Sequence, residues 1–225
     1  HVLKRKVSNI KVIKKLVPES KYSVKCPYSM EAEVIVVHNT ANDATAANEV
    51  AYMTTNNNQV SFHYAIDDKE IVQGIPENRN AWHAGDGGNG PGNRKGLSIE
   101  ICYSKTGGPK FIEAEKLTAK FIAFKLKEKG WGTERVKTHQ MYSNKYCPHR
   151  TLDMGWQRFI NMIQTEMKEP TKPASGKYPA DLSPWAQGGY DFVTKNNLSD
   201  GQRPKAPVTR EELWIMIERL NSIKV

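Results

Sequence analysis

Residues 32–40, AEVIVVHNT, constrain this chain more than any other stretch. Val34, Ile35, Val36 and Val37 follow one another, so an extended backbone here would carry apolar side chains on both faces. A short continuous run of that kind reads as a strand buried inside a sheet, and it ends at His38. The next segment, ATAANEVAYMTTNNN, spaces Ala47, Val50, Ala51 and Thr54 as a helix does, with Asp43 or Thr45 placed to cap it. VSFHYAIDDKEIVQGI predicts two strands around the turn DDKE. LSIEICY alternates, with Leu97, Ile99 and Ile101 on one face and Ser98, Glu100 and Cys102 on the other. EAEKLTAKFIAFKLKEKG places Leu117, Phe121 and Phe124 on one helical face, and Gly130 can close that helix. RVKTH predicts a last strand and DMGWQRFINMIQTEM a last helix. The fold class is therefore α/β, a mixed central sheet flanked by helices.

KEPTKPASGKYPADLSP, residues 168–184, holds four prolines and no hydrophobic period, which marks a connection between domains. The expected organisation is a basic segment over 1–16, a larger domain over 17–167, a linker over 168–180 and a small helical domain over 181–225. A chain of 225 residues suffices for one full core and something smaller. The formal net charge of +9 is unevenly placed. Lys4, Arg5, Lys6, Lys11, Lys14 and Lys15 fall within residues 1–16, where no acid stands. An excess that lies mostly in one tail speaks against a nucleic-acid binder, although such a tail suits any polyanion. No run approaches the roughly 20 apolar residues of a membrane helix, and the start lacks the apolar core of a secretory signal. The cysteines, Cys26, Cys102 and Cys147, are odd in number and unpaired in spacing, so a disulfide framework is not expected.

Two imidazoles and a thiol stand where a rigid scaffold could fix them. His38 leaves a strand end, His139 follows a strand, and Cys147 lies in a loop closed by Pro148. Zinc favours such donors, and a catalytic zinc keeps one position for water. On spacing alone, metal ligation and satisfied core histidines both remain open. The glycine-rich AGDGGNGPGNRKG lacks the G-x-x-x-x-G-K-[ST] pattern of a phosphate cradle and reads as a mobile loop beside a cleft.

Five stretches in order, VVHNT (36–40), SFHYAIDD (61–68), NAWHAGDG (80–87), GLSIEICYS (96–104) and THQMYSNKYCPHR (138–150), give a resemblance. Residues 17–167 resemble the zinc-dependent N-acetylmuramoyl-L-alanine amidases of phage endolysins and bacterial autolysins, more distantly the peptidoglycan recognition proteins. The resemblance implies zinc held by His38, His139 and Cys147, where some relatives use Asp in place of the thiolate. It implies Glu100 as acid/base and Lys145 as the cation that stabilises an oxyanion. Phe62 stands where some relatives carry a catalytic tyrosine, and a phenyl ring transfers no proton. His83, Asn39 and Phe62 are expected to line the substrate cleft, with Asn39 alternatively a cap, Trp82 packing, and His63 and His149 structural. The implied reaction is hydrolysis of the amide between N-acetylmuramic acid and L-alanine in Gram-positive walls. A non-catalytic peptidoglycan binder would need none of the ligand set.

The C-terminal stretch predicts a helix with Trp185, Tyr190 and Val193, then a second one opened by a capping box of Thr209 and Glu212. Its W-A helix, DGQRP and VTREE resemble one S-layer-homology repeat, which implies binding to an anionic wall polymer. About 40 residues can hardly bury a core, so packing on the larger domain or pairing into a homo-oligomer is expected. The expected setting is a lysin made in the host cytoplasm that acts on the wall.

Overall fold

The computed structural model describes residues 10–168, 182–183, 186–202 and 205–221. The chain divides into two compact units, His1–Lys168 and Glu169–Val225. Lys4, Arg5, Lys6, Trp185 and Arg203, each given a part in the sequence reading, lie outside the described residues.

In the first unit the elements run β1 (Val12–Lys14), α1 (Tyr22–Lys25), β2 (Val34–Asn39), α2 (Ala46–Thr55), β3 (Tyr64–Ile66) and β4 (Ile71–Gln73). They continue with α3 (Pro91–Lys95), β5 (Gly96–Ile101), α4 (Gly108–Lys129), β6 (Val136–Thr138), α5 (His149–Asp153) and α6 (Trp156–Met167). The six strands form one mixed sheet in the order β1-β4-β3-β5-β2-β6. Among the six described strands, β3 and β4, the expected hairpin, are the antiparallel pair. β2 pairs in parallel with both β5 and β6.

Local chemistry explains most element ends. Thr45, not Asp43, caps α2, its side chain accepting from the Asn48 N–H at 3.2 Å. Asp43 instead accepts from Thr106. Gly130 ends α4 in the left-handed conformation, φ +66°, which a residue without Cβ adopts freely. The last helical stretch breaks at Gly155, φ +101°, into α5 and α6.

Three sequence expectations shift. The buried face of α2 is Ala46, Val50 and Met53, not the stripe through Ala47 and Thr54, whose hydroxyl bonds back to the Val50 carbonyl at 2.9 Å. Val12–Lys14, set aside as part of a basic tail, is an edge strand in register with Ile71–Gln73. Both faces of β5 are covered, since Ser98 is as buried as Leu97 and Ile99. The core joins Ile35, Val37, Ile99 and Ile101 of the sheet to Phe121, Ile122 and Leu126 of α4 and Phe159 and Ile163 of α6. Lys25 is fully buried, and its ammonium donates to Asn56 Oδ1 (2.8 Å), the Asn58 carbonyl (2.6 Å) and the Val60 carbonyl (3.1 Å).

The second unit contains α7 (Gln187–Lys195) and α8 (Arg210–Asn221). The capping box forms as predicted: the Thr209 N–H donates to Glu212 Oε2 at 2.8 Å, and the Glu212 N–H to Thr209 Oγ1 at 3.1 Å. Phe192, Leu213, Trp214, Ile215 and Ile217 are exposed, so this pair of helices covers little of its own apolar surface. Among the described residues no helix is long and apolar enough to cross a membrane.

Candidate active site

Parallel pairing delivers the site. His38 is level with Glu100 across β2 and β5, and Val37 is level with Thr138 across β2 and β6. His139, one residue beyond Thr138, therefore arrives beside His38 at the carboxyl edge of the sheet, where open α/β sheets place their ligands. The loop after β6 returns Cys147 to the same point, its own carbonyl accepting from the Gln140 N–H at 3.0 Å.

His38, His139 and Cys147 are all buried, and one donor atom from each lies within 4.8 Å of the others. The two Nδ1 atoms are 3.0 Å apart, and Cys147 Sγ is 3.9 Å from His38 Nδ1. Ligands held tetrahedrally at zinc–ligand lengths of about 2.0–2.3 Å stand roughly 3.3–3.6 Å from one another, so this set fits a zinc ion. Two neutral imidazoles and one thiolate also have the right softness for it. Burial first, then neighbouring His83, His139 and Lys145, holds the His38 imidazole well below its usual range, so it is neutral and ready to ligate. Burial and the Glu100 carboxylate push the Cys147 thiol up to about 11, against the Asn39 backbone N–H and Lys145. A divalent cation among the three would reverse that effect.

A cleft of about 520 Å³ opens over the cluster, lined by the three donors together with Phe62, Trp82, Glu100 and Lys145. A second hollow of about 270 Å³ continues from it past Glu49, Tyr52 and Asn56. Glu100 is shared by both, and its Oε2 is buried without a hydrogen-bond partner. Burial, with Glu49 adding to it and Lys145 opposing, pushes its carboxyl up to about 8. A carboxyl beside a cleft that gives up its proton only near pH 8 is suited to proton transfer. Lys145 is exposed at the cleft's rim.

The remaining sequence candidates fall into different places. Phe62 is a buried wall of the cleft. Asn39 lines it too, but its amide is engaged elsewhere: Oδ1 accepts from the Arg150 N–H (2.9 Å) and the Thr151 N–H (3.2 Å), capping α5. Trp82 lines the cleft while donating to the Val24 carbonyl at 3.0 Å. His63 is structural, with Nδ1 accepting from the Ser98 N–H (3.0 Å) and Nε2 donating to the Arg79 carbonyl (2.9 Å). His149 bonds the Ser104 carbonyl at 3.2 Å. His83 does not simply edge the cleft; its Nδ1 is 3.0 Å from His38 Nε2. The glycine-rich loop is pinned, since Asp86 accepts from the N–H groups of Gly92 (2.6 Å) and Asn93 (3.2 Å). Glu49 was not singled out in the sequence, and only the structure sets it near Glu100.

A mixed sheet brings two histidines, a cysteine and a glutamate together at its carboxyl edge, a donor set that could hold a metal ion. The family model for N-acetylmuramoyl-L-alanine amidase matches residues 28–150, and the chain belongs to that family. It is 58% identical over 161 residues to the amidase CwlA of Bacillus subtilis, covering 71% of this chain and 59% of that protein. To the amidase XlyB of the same organism it is 58% identical over 160 residues, covering 71% of this chain and 50% of that protein. The chain thus spans little more than half the length of these curated relatives. The solved structure of PlyL superposes with a TM-score of 0.67 at 54% identity, over 68% of this chain and 97% of that one.

Proposed function

We propose that this chain is a peptidoglycan hydrolase that cuts the amide between the lactyl group of N-acetylmuramic acid and L-alanine of the stem peptide. The observation that carries this reading is one cleft that holds three convergent donor atoms, an orphaned carboxylate and a cation. A zinc ion held by His38, His139 and Cys147 would supply a Lewis acid and a water acidified to near pH 7. Glu100, once ionised, takes a proton from the attacking water and passes it to the departing amine; a divalent cation in the cleft would favour the ionised form that the metal-free site resists. Lys145 brings its ammonium to the developing oxyanion, an effect typically worth a few kcal/mol. Phe62 shapes the wall and contributes no proton, which leaves that work to Glu100. His83, by contrast, is better read as serving His38 than as touching substrate.

Residues 17–167 act as the catalytic domain in this reading and 181–225 as a wall-binding module of the S-layer-homology kind. The module's exposed apolar helices and its capping box support that assignment. It would take an anionic wall polymer and pack or pair through its uncovered face, targeting a lysin to Gram-positive walls. Digestion of purified walls, followed by mass analysis of the products, tests the reaction. New amino-termini on L-alanine with intact glycan are expected; cleaved glycan or unchanged walls would overturn it. Removal of residues 169–225 should reduce wall retention in a sedimentation assay, and unchanged retention would overturn the targeting role.

A further inference from the structure

Each imidazole that binds a metal has a second nitrogen, and what that nitrogen touches fixes the ring. For His38 that partner is not a carboxylate or a carbonyl but another histidine. His38 Nε2 and His83 Nδ1 lie 3.0 Å apart, with the rings nearly perpendicular at 89°. His83 Nε2 in turn meets the Gly96 carbonyl oxygen at 3.3 Å. A carbonyl only accepts, so the proton of a neutral His83 sits on Nε2 and its Nδ1 is a lone pair. That lone pair requires the proton of His38 to sit on Nε2. His38 Nδ1 is then left bare, and it is the atom that faces His139 Nδ1 and Cys147 Sγ.

We infer that His83 is a positioning residue for the metal site: it fixes both the tautomer and the orientation of His38. This rests on the zinc reading above and adds a role for a residue outside the ligand set. The surroundings of His83 are built for the task. Its backbone N–H and that of Ala84 both donate to Asn93 Oδ1, each at 2.8 Å. Gly96 lets the strand come close enough, because a Cβ there would sit 3.2 Å from His83 Cε1 and 2.4 Å from the Gly92 carbonyl oxygen.

The test compares the full chain with H83A and with H83Q, whose amide oxygen can still accept from His38. Zinc affinity is read by chelator competition, ligand geometry by the visible spectrum of the cobalt-loaded protein, and folding by circular dichroism. H83A is expected to bind zinc 10–100-fold more weakly with an altered cobalt spectrum, and H83Q to recover most of both. Wild-type zinc affinity and an unchanged cobalt spectrum in H83A would overturn the inference, whatever happens to wall hydrolysis. Long-range proton–nitrogen spectra of the wild-type protein decide the matter should H83A not fold. His38 protonated on Nε2, with His83 Nδ1 bare, supports the inference; the reverse pattern overturns it. A wild-type protein that binds no zinc would instead remove the zinc reading itself, which the same titration shows separately.

Discussion

Replacing Glu100 by Gln should destroy activity and at the same time stabilise the metal-free protein. The carboxyl, normally near 4.5, is pushed up to about 8 by burial and by Glu49. Between those two values the folded chain keeps a proton that the unfolded chain has released, so stability falls as pH rises through that window. At pH 7 the span from 4.5 amounts to about 3 kcal/mol at roughly 1.4 kcal/mol per unit. That figure is an upper bound, since part of Glu100 keeps contact with water in the cleft. Gln matches the protonated acid in shape and cannot ionise, so it removes the penalty. In chelator, E100Q should therefore melt several degrees above wild type at pH 7, given about 2–4 °C per kcal/mol for a chain of this size. The gap should be small at pH 5, open as pH rises and level off above pH 8. Calorimetry of both proteins from pH 5 to 9 measures it. A flat gap, or a less stable E100Q, would refute the view that Glu100 is held against its own ionisation.

Other outcomes follow from single groups. Lys25→Met removes the ammonium donor from three part-buried acceptors near Asn56–Val60, of which Asn56 Oδ1 keeps the Asn58 N–H, and should cost about 1–3 kcal/mol in a urea titration. Burial lowers His63 from 6.5 to about 4, so the unfolded chain takes up a proton that the folded one refuses. Stability present above pH 6.5 should thus fall by about 3 kcal/mol as pH drops toward 4, and denaturant midpoints across that range check it. Cys147→Ser should lose stoichiometric zinc, by metal analysis after dialysis, and wall lysis with it. Phe159→Ala, at a fully buried position in α6, should cost about 3–5 kcal/mol in the same urea titration.

Signals that act over a few residues were legible in the sequence. The 64–73 hairpin, the Gly130 stop and the capping box of Thr209 and Glu212 depend on neighbours and turned up where expected. Thr45 and Asp43 were equivalent as caps until Thr106 claimed Asp43. Sheet order is not local, and nothing in LSIEICY says that Glu100 sits between two strands rather than at an edge. The same holds for Lys25, whose acceptors lie more than thirty residues away. Val12–Lys14 was obscured by its charged neighbours, because edge strands tolerate lysine. The His38–His83 contact carries no sequence signature, since it joins a strand end to a loop 45 residues on. The pinning of that loop by Asp86 and Asn93 was hidden by its glycines, which suggested mobility.

His38, His139 and Cys147 are expected to close on one zinc ion. X-ray absorption at the zinc edge of the zinc-loaded chain tests it most directly. One zinc per chain, with two imidazole nitrogens at about 2.0–2.1 Å and a single sulfur at about 2.3 Å that C147S removes, is the predicted result. A shell without sulfur, or one whose sulfur survives in C147S, would contradict it.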